Sequence, residues 1–444
     1  MAVSKENIRC SRLEGGPVVL SDTMNSVRSV TLGLFFRFGS GIEPEDLQGI
    51  THLIEHAVFK GTNRRSAKDI ALEQDRLGGV LDAFTTHEEI GFIIKVPDDR
   101  LNEAFDLLAD LVSSPKFDKK DIENEKRVIL EEIKMTEDAP EEAISEIFHR
   151  EAFRGHPLGR PITGTPKSLR KLTAENLAAY HGSLFTPQNL VIAAAGSLEH
   201  EKLVEMAQKL KESLYKKNIG TFIPQLSLPP LKMQQGLHFQ SKAGMEQVHF
   251  LIGFPLVSAS SPLRYAADLF VSILGGGTSS RLWQEVREHR GLSYSVGATL
   301  NGYRNFGFGV VNCSTSKEAA IEAFECILNE MTEIAEKGVS LEELTLAKEQ
   351  ARASLLLALE DTAARSASLI HCELNYSRQV SLEETLRSLE AVSLEEVNKL
   401  AKKYLAKQHL FTTFLGDRRL KSALNRFARI RGKFNENNTL SIAA

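Results

Sequence analysis

Cysteine is scarce in this chain, and the four present (Cys10, Cys313, Cys326 and Cys372) form no C-x-x-C pair. Their scatter argues against a disulfide framework and reads as reduced, packed thiols. Long apolar runs are missing as well. No stretch approaches the roughly 20 residues that a bilayer-crossing helix needs. The opening "MAVSKENIRCSRLEGG" has no apolar segment of the kind a secretory signal carries. A surplus of positive charge is also lacking, since 54 basic side chains face 58 acidic ones for a net charge of −4. Without a basic run, a nucleic-acid partner is not expected. These absences predict a cytoplasmic protein with neither membrane nor nucleic acid as partner.

What is there is ordinary globular composition, 42% hydrophobic and 25% charged over 444 residues, enough for two domains with sizeable cores. The stretch "NIGTFIPQLSLPPLKMQQG", residues 218–236, holds three prolines and little helical periodicity, so it reads as a linker. It divides the chain into a first domain, 1–217, and a second, 237–444. Each half opens on a strand-like run, "SVTLGLFFRFGSG" and "QVHFLIGFPLV", and continues into a helical pattern ending near Gly-Thr. Each later carries a long helical stretch, "EKRVILEEIKMTEDAP" and "KEQARASLLLALEDTAA". An internal duplication of one α+β unit accounts for this.

The chemistry concentrates in "ITHLIEHAVFKGT", residues 50–62, where His52, Glu55 and His56 stand at i, i+3 and i+4. Apolar Ile50, Leu53, Ile54, Ala57 and Val58 surround them at helical spacing. Positions i and i+4 share a helix face, so both imidazoles can hold one metal ion with Glu55 beside them. The competing reading is a chance polar cluster on a solvated helix. The duplication weighs against it: aligning the halves puts Asp268, Val271 and Ser272 at the three positions, so packing does not demand the His/Glu set.

His-x-x-Glu-His is the inverted zincin motif, and the chain from "VRSVTLGLFFRFGSG" to "KKYLAKQHLFTTFLGD" resembles the pitrilysin-type metallopeptidases. The short-subunit branch, related to the mitochondrial processing peptidase and its bacterial relatives, is the closest in pattern. The resemblance implies two tandem α+β domains, each an antiparallel sheet packed with helices. It implies a zinc endopeptidase, one Zn2+ per chain held by His52, His56 and a glutamate on a second helix. In "ENEKRVILEEIKMTED" the match selects Glu132, with 75 residues between it and His56. Glu131 next to it points about 100° away round the helix and is expected to be a solvated charge. Glu55 is implied as general base. Glu125, seven residues before Glu132 on the same stripe, is implied as a support for the ligands.

Substrate contacts follow from the same resemblance. "LDAFTTHEEIGFIIKV", 81–96, reads as a strand and matches the edge strand to which an extended peptide adds. Here Asp82-Ala83 stands where relatives often carry Asn-Ala. His87 nearby is not expected to be a ligand. In "EVREHRGLSYSV" the pair Arg287 and Tyr294 matches an Arg-x6-Tyr element that holds substrate near the metal. Glu142 and Glu146 match two acids that recognise a basic residue beside the cleaved bond. "GGGTSS" fits neither a P-loop nor a Rossmann turn and reads as a close-packed turn.

The implied assembly is a clamshell homodimer, with Arg287 and Tyr294 of one chain completing the zinc site of the other, acting on short or unfolded peptides. A heterodimer with a related subunit, a non-catalytic family subunit, and a peptide-binding module that does not cut are the alternatives.

Overall fold

The computed structural model describes residues 7–215, 228–406, 409–422, 424 and 441–442. The first half builds a six-stranded sheet from β1 (Ile8–Arg12), β2 (Val18–Thr23), β3 (Ser29–Phe36), β4 (Val80–Thr85), β5 (Ile90–Pro97) and β6 (Leu190–Gly196). Its spatial order is β1-β2-β6-β3-β5-β4. The second half repeats the plan with β7 (Gly236–Ser241), β8 (Gln247–Leu256), β9 (Ser293–Gly302), β10 (Gly307–Ser316) and β11 (Phe411–Gly416), plus a short β12 (Ser441–Ile442). The order there is β12-β7-β11-β8-β10-β9. Dropping the outer strands β1 and β12 leaves one topology used twice, as an internal duplication requires.

Two features depart from expectation. Each sheet is mainly antiparallel, but β2 runs parallel to β6 in the first, and β7 runs parallel to both β11 and the short β12 in the second. Those strands are joined through most of their half, and long crossovers permit parallel pairing. The run 81–96 is two strands rather than one. Thr86 turns the chain, its amide donating to the Glu89 carbonyl at 2.8 Å and its hydroxyl accepting from the Glu89 amide at 3.0 Å. The result is a hairpin in which β4 pairs with β5 on one side only, so β4 is a sheet edge. Of the predicted linker, residues 218–227 lie outside the described residues, and 228–235 form neither helix nor strand.

The described residues gather into two compact units that cut across the halves 1–217 and 237–444. One is drawn from Met1–Lys134, Arg160–Leu228 and Leu355–Leu382, the other from Met135–Gly159, Pro229–Ser354 and Glu383–Ala444. The halves thus exchange a helix. The helix Thr362–Tyr376, from the second half, packs Leu369, Ile370 and Leu374 against Leu20, Phe35, Val191 and Ala193 of the first sheet. Its wholly buried Glu373 accepts two bonds from Arg12, each 2.8 Å, and one from Arg37 at 2.6 Å. Buried Arg365 donates to Asp22 at 2.8 Å. Charges this deep hold only when paired. In the other unit the helix Pro140–Ala152, from the first half, places Phe148 against β8, where Gly253 makes room: a Cβ there would lie 2.3 Å from the Phe148 ring.

In the first unit β3 is apolar on both faces because both are covered. Val30, Leu32, Leu34 and Phe36 share one buried core with Leu53, Ile54 and Ala57 of α1 (Ile50–Ala57). Eight residues are too few for a self-supporting helix, so α1 depends on this burial and on its N-terminus. Gly49 starts it at φ 90°, a left-handed conformation that a side chain disfavours. Buried Glu43 then accepts from the amides of Gly49 (2.7 Å) and Thr51 (2.8 Å), satisfying two donors at the helix start.

Candidate metal centre

α1 presents His52 and His56 on one face, their ring centroids 4.7 Å apart. Alongside runs α2 (Lys119–Asp138), whose inward stripe is Ile122, Glu125, Ile129 and Glu132, spaced by three and four residues. The first three are buried, and Glu132, one turn beyond the hydrophobic contact, reaches the histidines. Its Oε1 lies 3.6 Å from His52 Nε2 and its Oε2 3.7 Å from His56 Nε2. Among the described residues, His52, His56 and Glu132 are the one set of such groups whose ligand atoms converge within 4.8 Å.

Those separations are too long for hydrogen bonds. They are close to the spacing of neighbouring ligands round one ion: with zinc–ligand bonds of about 2.0–2.2 Å and tetrahedral geometry, ligand atoms stand roughly 3.3–3.6 Å apart. The donor types also fit, two imidazoles and a carboxylate. Burial, and next to it the neighbouring His56, lowers the His52 pKa to about 3, so this ring is neutral at pH 7 with a lone pair to give. Burial raises the Glu132 carboxyl, while His56 pulls it back in part.

Around the three lies a supporting layer. Glu125 Oε2 stands 3.4 Å from His56 Nδ1, and its Oε1 meets Lys60 Nζ at 3.0 Å. The carboxylate thus steadies the ring nitrogen opposite the one that faces Glu132. Glu55 projects beside the histidines, half-buried. Its carboxyl is raised by burial, opposed by the Thr85 hydrogen bond and His56, with smaller upward pushes from Glu132 and Asp82. The Thr85 hydroxyl of β4 donates to Glu55 Oε2 at 2.5 Å. Glu55 Oε1 takes no part in that bond. Glu131 turns to solvent and pairs with Lys134 at 2.7 Å. His87 bonds the Arg160 carbonyl at 3.1 Å, outside the cluster.

The remaining residues singled out by pattern fall elsewhere. Asp82 and Ala83 sit on the edge strand β4, where Asp82 Oδ1 accepts from the Ala83 amide at 2.9 Å. Arg287, Tyr294, Glu142 and Glu146 all belong to the other compact unit. Arg287 lies on a wide-turn (π) helix, Trp283–His289, and donates to the Tyr294 carbonyl at 2.9 Å. The Tyr294 ring is 81% exposed. Glu142 and Glu146 occupy exposed positions of the helix Pro140–Ala152.

Sequence reasoning missed three contributors: Lys60, Thr85 and Glu43. Lys60 is four residues after His56 and Thr85 two after Ala83, spacings that place each near its partner. Glu43 had no such signal, because a chain reversal separates it from α1.

A twice-used sheet-and-helix unit carrying one inverted His-x-x-Glu-His centre defines a metallopeptidase architecture. Residues 18–166 match the family model described as insulinase (peptidase family M16), and residues 171–351 match the one described as peptidase M16 inactive domain. An uncharacterized zinc protease of Mycobacterium tuberculosis is 34% identical over 401 residues, covering 90% of this chain and 91% of that protein. The uncharacterized zinc protease YmxG of Bacillus subtilis is 32% identical, covering 89% and 95%. In solved structures the fold recurs in a peptidase M16 inactive domain from Pseudomonas fluorescens, with a TM-score of 0.85 at 20% identity over 93% of this chain and 98% of that one. A protease from Helicobacter pylori gives 0.84 at 20% identity, over 93% and 100%. The chain belongs to peptidase family M16, the insulinase or pitrilysin-type peptidases. Its first half carries His52, Glu55, His56 and Glu132, and the model named for inactivity begins within that half and runs into the second.

Proposed function

We propose that this protein is a zinc-dependent endopeptidase of short or unfolded peptides. The observation that carries the reading is the convergence of His52, His56 and Glu132 at 3.6–3.7 Å beside a Glu55 carboxylate fixed by Thr85. His52, His56 and Glu132 would hold the ion, with Glu125 orienting His56. When bound, zinc lowers the pKa of a coordinated water and polarises the scissile carbonyl. Glu55 takes the proton of the attacking water on Oε1 while Thr85 occupies Oε2, then passes it to the leaving amine nitrogen.

β4 supports the binding mode. Its outer edge is unpaired among the described residues, so an extended peptide adds there by main-chain hydrogen bonds, with Asp82 and Ala83 in contact. Arg287 and Tyr294 supply donors to a substrate carbonyl or a developing oxyanion. Glu142 and Glu146 bracket a basic side chain. We assign the working form as a homodimer in the cytoplasm, in which the Arg/Tyr pair of one chain serves the centre of the other. No helix among the described residues is long and apolar enough to cross a membrane.

The test is hydrolysis of quenched fluorescent peptides containing one internal arginine, run before and after chelation. Removing the metal should abolish cleavage, and one equivalent of zinc per chain should restore it. Cleavage that persists after full metal removal would overturn the proposal. Peptide that binds but is never cut by zinc-loaded protein would leave a binding module instead.

A further inference from the structure

The chain has one tryptophan, Trp283, and it lies against Arg287. The guanidinium carbon is 4.0 Å from the centroid of the Trp283 ring and 4.4 Å from that of Tyr294. Arg287 is therefore in cation–π contact with two rings. The π-helix Trp283–His289 brings residues 283, 287 and 288 to one face, because its turn takes between four and five residues. Trp283 is itself anchored, its Nε1 donating to Glu288 Oε1 at 3.1 Å. Glu288 Oε1 also lies 3.7 Å from Arg287 Nε.

This cluster does not build a core. Tyr294 is 81% exposed, and an arginine against aromatic rings at a surface gains little stability from the contact. What it gains is a fixed plane. Two of the guanidinium nitrogens are engaged: Nη1 donates to the Tyr294 carbonyl at 2.9 Å, and Nε lies 3.7 Å from Glu288 Oε1. Nη2 is left without a protein partner among the described residues, held in a known direction. A free arginine carries several rotatable bonds, and ordering it on binding costs affinity and precision. Here that ordering is done in advance.

We propose that Trp283 is a positioning residue for peptide cleavage. It holds the Arg287 guanidinium flat against its indole, so that Nη2 is aimed at a substrate carbonyl oxygen. The inference rests on the reading of Arg287 and Tyr294 as the substrate-holding pair.

Four proteins test the proposal: Trp283→Ala, Trp283→Phe, Arg287→Ala and the double variant Trp283→Ala/Arg287→Ala. Each is assayed with a quenched arginine-containing peptide, with zinc content and melting temperature checked. Trp283→Ala should lower kcat about 10-fold or more, as misaimed donors do, with unchanged zinc content. Trp283→Phe keeps a ring and should return kcat to within about threefold of the parent. Adding Trp283→Ala to Arg287→Ala should cost nothing further, because Trp283 acts through Arg287. Labelled-peptide affinity in a Glu55→Gln background should follow the same non-additive pattern. A folded Trp283→Ala protein with parental kcat and affinity, beside an impaired Arg287→Ala, would overturn the role of Trp283 alone. An unimpaired Arg287→Ala would overturn the pair on which it rests. Additive losses in the double variant would mean that Trp283 acts independently of Arg287, contrary to the proposal.

Discussion

Replacing Glu125 by glutamine should weaken zinc binding without unfolding the protein. The Glu125 side chain is 7% exposed, with one oxygen 3.4 Å from His56 Nδ1 and the other 3.0 Å from Lys60. Glutamine keeps the shape but removes the negative charge that favours the His56 ring in its metal-binding orientation. Loss of such a supporting carboxylate typically costs 10- to 100-fold in metal affinity, or about 1.4–2.8 kcal/mol. The stability change should be smaller. Removing a buried charge offsets the lost ion pair, and Lys60, 38% exposed, can turn to water. The assay is competition for zinc with a chromophoric chelator at pH 7. Glu131→Gln is the control, one residue from the ligand but paired with Lys134 in solvent, and it should bind as the parent does. A Glu125→Gln dissociation constant within twofold of the parent would refute the supporting role.

Glu43 supplies a pH dependence. Its burial, only partly opposed by the amides of Gly49 and Thr51, raises the carboxyl from 4.5 to about 7. Between those values the folded state holds a proton that the unfolded chain has released, so stability falls as pH rises. The contribution is full below about 4.5 and is lost as pH passes through about 7. Urea unfolding of metal-free protein should therefore show a decline from pH 5 to 8 that is shallower in Glu43→Gln, and equal slopes would contradict the assignment. Thr85→Val should free Glu55 Oε2 and lower kcat by about 10-fold through misorientation of the base, with zinc content unchanged. Steady-state kinetics on zinc-replete protein would show a parental kcat if the Thr85 bond were incidental.

Much of this was legible in the residues because periodicity and local spacing carry it. The i, i+4 histidines of α1, the stripe Glu125–Ile129–Glu132 and the paired halves are all short-range patterns. The exchange of the helices Pro140–Ala152 and Thr362–Tyr376 was not legible. An amphipathic pattern shows that a helix has an apolar face, not which sheet that face will cover. The deciding contacts of the second helix, Glu373 with Arg12 and Arg37, span more than 330 residues of chain. Parallel pairing of β2 with β6 is hidden for the same reason. The β4–β5 hairpin read as one strand because polar "TTHEE" interrupts the apolar run without the glycine or proline that usually marks a turn. Trp283 stands four residues before Arg287, a legible spacing, but the contact of that arginine with Tyr294 and the π-helix beneath it are not written in the spacing.

The central claim is that Glu55 moves the proton at a zinc centre made by His52, His56 and Glu132. Glu55→Gln tests it most directly, with zinc content and peptide hydrolysis measured on one preparation. The side chain keeps its size and its bond from Thr85 but can no longer accept a proton. One zinc per chain, with hydrolysis reduced by roughly 10²- to 10⁴-fold or more, is the predicted result. A zinc-loaded Glu55→Gln protein that cuts peptide at the parental rate would contradict it.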